Sequence, residues 1–176
     1  ITSNEMISLR ITELLFNGLV GINEKQEIVP ELAEKWESSK DGRTFTFFLR
    51  KDVTWHAKPG ETPKPLTADD VVFTYKVMMH PKTITPLKVR YEFIENIEKV
   101  DDSTVRITLK RPVLNALAKF SFKIIPKHGP ANPYLTRDDP FVQQPVGTGP
   151  YMFKTVTPER EIMLTANENY FKGRPH

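Results

Sequence analysis

Fifteen prolines interrupt the 176 residues, many of them standing between apolar runs. Proline has no backbone N–H and is disfavoured inside helices and central strands, so a chain broken this often builds short elements joined by irregular connections. Hydrophobic residues make up 39% of the chain, enough for one packed domain or two small ones. A chain of this size buries about 70% of its unfolded surface. The expected class is α+β: a mixed sheet of hairpins with short helices.

The best-defined element starts at Pro65-Leu66-Thr67-Ala68-Asp69-Asp70-Val71-Val72-Phe73-Thr74-Tyr75. Thr67 can cap a helix by accepting from the Asp70 N–H, and Asp69 and Asp70 place negative charge in the first turn, where the helix dipole favours it. Val71, Val72, Tyr75, Met78 and Met79 give one apolar face, and Pro81 ends the run. Upstream, a capping box at Thr2-x-x-Glu5 predicts a first helix, buried on most sides and stopped by Gly18 in the left-handed region. Residues 20–22 and 26–29 read as short extended pieces, and Pro30 to Trp36 as one or two helical turns. Thr44 to Arg50 alternates with period two, placing Phe45, Phe47 and Leu49 on one face of a hairpin strand whose partner carries Trp36. Val53 to His56 is a further extended piece. A second hairpin is expected from Phe93–Val100 and Thr104–Lys110, and a third from Tyr151–Val156 and Arg160–Ala166. Between them lie a short helix over Val113–Phe120, an extended Ile124-Ile125-Pro126, and a long loop over 127–146. Residues Asn167 to His176 close no element.

The net charge of +3 invites a nucleic-acid reading, but Lys and Arg alternate with Asp and Glu and no basic run with interleaved aromatics occurs. No nucleic-acid partner is expected. With no cysteine, the chain has no disulfide, thiolate metal site or Cys nucleophile. No stretch reaches the apolar length of a transmembrane helix, and residues 1–20 lack a signal-peptide pattern, so the chain reads as a soluble, trimmed piece.

Motifs for catalysis are weak. Gly147-Thr148-Gly149-Pro150-Tyr151 fits neither phosphate-binding spacing and reads as a tight turn feeding a strand. His56, His80, His128 and His176 are far apart, so no metal site and no cofactor are expected. No Gly-x-Ser-x-Gly elbow exists. Asp69-Asp70 reads as a cap, Asp101-Asp102 as a turn, and Asp138-Asp139 as a solvated loop pair. Trp36, Phe45, Phe47, Phe48 and Trp55 read as core rather than as a stacking platform.

Seven blocks in order carry a family resemblance. Leu15-Phe16-Asn17-Gly18-Leu19-Val20, Ile28 to Trp36, Asp41 to Arg50 followed by Val53-Thr54-Trp55-His56, Leu66 to Tyr75, Val100 to Val105, Gly147 to Tyr151 and Asn167 to Pro175 resemble the signatures of the family 5 extracellular solute-binding proteins of ABC importers. The inserted Ala57 to Pro65 departs from that pattern and lengthens one loop. The resemblance implies a type II, cluster C periplasmic-binding-protein-like fold, of which this chain is the N-terminal portion after the first strand. Residues 1–35 and 111–176 would belong to the first lobe and 36–110 to a small N-terminal subdomain, with the second ligand-binding lobe absent. It further implies capture of a short peptide, or of nickel or another small solute, between two lobes, and delivery to an ABC permease by a monomeric, non-enzymatic protein. Such a protein would be periplasmic or extracellular, free or lipid-anchored. Leu87, Tyr91, Phe122 and Thr148 are the candidate ligand-binding residues, from their place in loops expected to face the cleft. The competing reading is a hydrolase or peptidase with a cleft carboxylate, which requires an Asp or Glu of raised pKa.

Overall fold

The computed structural model describes residues 3–58, 60–83, 85, 87–157 and 161–175, with the side chains of 3–8 outside the description. Among the described residues thirteen elements run α1 (Ser3–Leu15), β1 (Val20–Ile22), β2 (Ile28–Pro30), β3 (Ala33–Ser38), β4 (Thr44–Leu49), α2 (Ala68–Met79), α3 (Leu87–Tyr91), β5 (Ile94–Asp101), β6 (Thr104–Leu109), α4 (Ala116–Lys119), α5 (Pro140–Gln143), β7 (Tyr151–Val156) and β8 (Ile162–Ala166). The Thr2 end of the first predicted capping box lies outside the described residues.

The centre is a four-stranded antiparallel sheet in the order β3-β4-β6-β5. On β4 the period-two pattern does what it predicts: Phe45, Phe47 and Leu49 are buried, and Phe45 and Phe47 face Ile107 and Val105 across the ladder. Phe120 packs against both Phe45 and Phe47, with ring centroids 5.2 Å apart in edge-on geometry. Trp55, 1% exposed, and Val71 of α2 complete this layer. Phe48 departs from the expected core reading: it is half-buried, and the Lys35 ammonium lies 4.7 Å from its ring centre. Two-stranded sheets β1-β2 and β7-β8 flank the centre.

Several expectations are corrected. Pro30 to Trp36 is not helical, because β2 ends at Pro30 and β3 runs from Ala33 to Ser38, pairing Trp36 with Phe47. Cross-strand pairing overrides the helix propensity of Glu-Leu-Ala-Glu-Lys. Helix α1 is not buried on most sides, since Leu9 is 59% exposed and Leu15 alone of its described side chains is fully covered. Gly18 lies past the helix end without a positive φ, and a Cβ there would come within 2.7 Å of the Ser121 carbonyl oxygen. Close approach is its reason. The run 124–126 joins no strand, although the Ile124 N–H donates to the Asn17 carbonyl. The 127–146 stretch contains α5, capped by the Asp139 carboxylate accepting from the Phe141 N–H at 2.9 Å, so Asp139 is buried rather than solvated. The last segment is tied down, with Asn167 donating to the Gly149 carbonyl at 3.0 Å.

No helix among the described residues is long and apolar enough to cross a membrane.

Candidate ligand-binding cavity

Helix α2 is held at its start by one carboxylate. Asp70 closes a capping box with Thr67, accepting the Thr67 N–H at 2.9 Å and its hydroxyl at 3.2 Å. The same group accepts the Trp55 indole N–H at 3.3 Å and the Lys127 N–H at 2.8 Å. One turn on, the Thr74 hydroxyl donates to the Asp70 carbonyl at 2.8 Å and accepts from the Ile125 N–H at 3.0 Å. Asp69 points outward to Lys99 and Lys127, which hold its carboxyl below the usual range. The cap reading of this pair therefore holds, but Asp70 also staples α2 to residues 125–127.

That staple fixes one wall of a cavity of about 790 Å³. Its lining comes from the last turns of α1, the second half of α2, α3, residues 121–125 and the stretch 135–142. Leu87, Tyr91 and Phe122 all line it. Tyr91 and Phe122 are buried and meet edge-on at 5.2 Å, and Leu87 is half-buried beside them. Leu87 and Tyr91 sit on the short helix α3 rather than in a loop. Burial pushes the Tyr91 phenol up, with the Arg90 charge acting in the opposite direction. A smaller cavity of about 380 Å³ adjoins it and shares Arg90, Tyr91 and Ser121.

Thr148 lies elsewhere. It is 1% exposed and donates its hydroxyl to Asn17 at 3.1 Å, while Asn17 donates to Glu31 at 2.8 Å and Tyr170 at 3.2 Å. This polar cluster locks the Gly147–Tyr151 turn onto the end of α1. His56 clamps the turn from the other side, accepting the Gly147 N–H at Nδ1 (3.2 Å) and donating from Nε2 to the Gly149 carbonyl (2.9 Å). The His56 imidazole is thus held neutral, and burial lowers its pKa. Gly147 and Gly149 press against the Leu14 and Leu15 carbonyls, where any Cβ would collide with backbone.

Sequence reasoning missed Met78, Thr83, Leu135 and Val142, which also line the main cavity. Met78 was legible as part of the apolar face of α2. The 135–142 wall was not, because its only local signal is the Asp139-Pro140 helix start.

The profile described as bacterial extracellular solute-binding proteins, family 5 Middle, matches residues 27–176. The chain belongs to this family. Heme-binding protein A of Haemophilus influenzae is 35% identical to it over 93% of the chain and 33% of the relative. Di/tripeptide-binding protein 4 of Pseudomonas aeruginosa is 32% identical over 93% of the chain and 34% of the relative. Among solved structures, the periplasmic binding protein DppA from Helicobacter pylori in complex with peptide STSA superposes with a TM-score of 0.82 at 28% identity, covering 99% of this chain and 37% of that one. The family 5 chain described here thus spans about a third of the length of these relatives, and it has the expected α+β, type II periplasmic-binding-protein-like fold.

Proposed function

We propose that the protein is the solute-binding component of an ABC importer, capturing a short peptide and passing it to a membrane permease without turning it over. The observation that carries this reading is the cavity in which Leu87, Tyr91 and Phe122 converge. Its apolar side chains, interspersed with hydroxyl and charged groups, suit holding a ligand. Leu87, Tyr91 and Phe122 are the residues of this chain that contact the solute, and a second lobe closes over them. Thr148, away from that cavity, holds the Gly147–Tyr151 turn to Asn17. Residues 36–110 form the small subdomain and the flanking segments part of the first lobe, with Leu19 and Val20 from one side and Phe47 and Ile107 from the other packed in one core. The protein works as a monomer in the periplasm or outside the cell, free or lipid-anchored.

A hydrolase would need a cavity carboxylate of raised pKa. Glu13 is the one carboxylate lining the cavity among the described residues, and it is paired with Lys123 at 2.6 Å.

The test is native mass spectrometry of the full-length protein as purified, followed by thermal melting with di- and tripeptides. A ligand at 100 times its Kd stabilises the folded state by about 2.7 kcal/mol. A co-purifying peptide and a rise in Tm are expected. Peptide cleavage abolished by a single Asp or Glu substitution would overturn the reading.

A further inference from the structure

His56 meets one turn through three hydrogen bonds. Its backbone N–H donates to the Gly147 carbonyl at 2.8 Å, its Nδ1 accepts the Gly147 N–H at 3.2 Å, and its Nε2 donates to the Gly149 carbonyl at 2.9 Å. A backbone N–H only donates and a carbonyl only accepts, so the ring fits this turn in one form, neutral with its proton on Nε2. A second proton would sit on Nδ1 and point at the Gly147 N–H. Among the described residues Gly147 makes its hydrogen bonds to His56 alone.

The turn feeds β7, and β7 with β8 forms a two-stranded sheet apart from the central one. A hairpin of two strands is marginal by itself. Its base is tied by the Gly149 N–H to the Leu15 carbonyl at 2.9 Å, by Thr148 to Asn17 at 3.1 Å, and by Asn167 to the Gly149 carbonyl at 3.0 Å, while Phe153 and Leu164 pack on the Leu15, Phe16 and Phe141 cluster. The segments packed around His56 carry Tyr151 on the turn, Glu13 in the last turn of α1, Glu31 and Tyr170 beyond Thr148, and Lys64 and His128 beside Trp55, with Lys58 exposed two residues on. None of these charges moves the ring, which answers to burial and to the Gly149 bond. We propose that His56 is a latch opened by acid: a proton gained at Nδ1 breaks the bond to Gly147 and frees the turn at 146–151 while the central sheet stays folded. Burial outweighs the Gly149 bond and holds the ring's pKa below the ordinary histidine value, so the latch is closed at neutral pH and opens as the pH falls. It works whether or not the cavity takes a peptide.

The experiment uses the full-length protein, followed by amide hydrogen exchange at pH 7.5 and 4.5 with the intrinsic pH dependence of exchange divided out. Protection of a peptide spanning 146–152 is expected to fall at least tenfold in the parent, while peptides from β4 and β6 change less than threefold. His56→Gln keeps a donor for Gly149 and has no proton to gain in this range, so its turn should change less than threefold. In 15N-histidine spectra, the signal lost in His56→Gln or His56→Asn should show a neutral ring with a bare Nδ1 at pH 7.5 and should titrate at the pH where the turn opens. An unchanged turn in the parent, an equal fall in turn and sheet, or the same fall in His56→Gln would overturn the latch, as would a proton on Nδ1 at pH 7.5. If neither variant folds, the parent decides: opening of the turn without loss in the sheet supports the latch, and any other profile refutes it.

Discussion

Asp70 is 4% exposed and accepts hydrogen bonds from Thr67, Trp55 and Lys127. Truncation to alanine leaves buried donors without partners, a loss of about 3 kcal/mol. Asp70→Ala should therefore lower the urea midpoint by about 1.5 M for a protein with a slope of about 2 kcal/mol/M. Adjacent aspartates after Thr67 announce a cap in the sequence; nothing local announces that Trp55 and Lys127 converge on the second of them. His56 carries a pH signature. Its folded-state pKa lies below the ordinary value, so between the two values the unfolded chain binds a proton that the folded chain refuses. Stability is full above about pH 6.5 and falls as the pH drops toward the folded-state value. His128, also lowered by burial, adds to the same slope. Melting at pH 7.5 and 5.5 should show a smaller acid loss for His56→Gln than for the parent. The salt-bridged Asp52 and Asp69, lowered by their cationic partners, titrate below that window.

Elements were legible where periodicity and turn chemistry agreed. The β5–β6 hairpin turns at Asp101, whose carboxylate accepts the Ser103 N–H at 2.8 Å, as the Asp-Asp-Ser run predicts. β3 was misread because Pro30 to Trp36 has helix-forming residues, and its strand state is decided by β4 sixteen residues away in the register Ala33 to Leu49. Helices α3 and α5 went unseen because single turns carry no period. Helix α2 is the element on which the cavity wall depends. Thr67→Ala removes the hydroxyl bond to Asp70 and should cost about 1 kcal/mol, read as a drop of a few degrees in Tm. Leu87→Ala and Phe122→Ala separate wall from core. Phe122 is buried in the main cluster, so its truncation should cost about 3 to 5 kcal/mol in unfolding experiments. Half-buried Leu87 should instead lose about 1 kcal/mol of ligand affinity, about a fivefold rise in Kd by titration, with little change in Tm.

At the scale of the whole molecule, the α+β class and the three hairpins follow from the sequence, whereas the cavity does not, because its walls come from segments up to 133 positions apart, from Leu9 to Val142. Three of the four candidate residues nevertheless line it, whereas Thr148 lies outside that lining and bonds Asn17. The seam between α1 and the Gly147–Tyr151 turn bears on how this piece responds to a ligand. Two residues without side chains lie flush against the Leu14 and Leu15 carbonyls, and the Gly149 N–H donates to the latter at 2.9 Å. No compressible layer separates the two parts. Thr12 and Glu13, one turn earlier, belong to the cavity lining, so a push on that wall reaches the base of the β7–β8 hairpin with no cushion to absorb it.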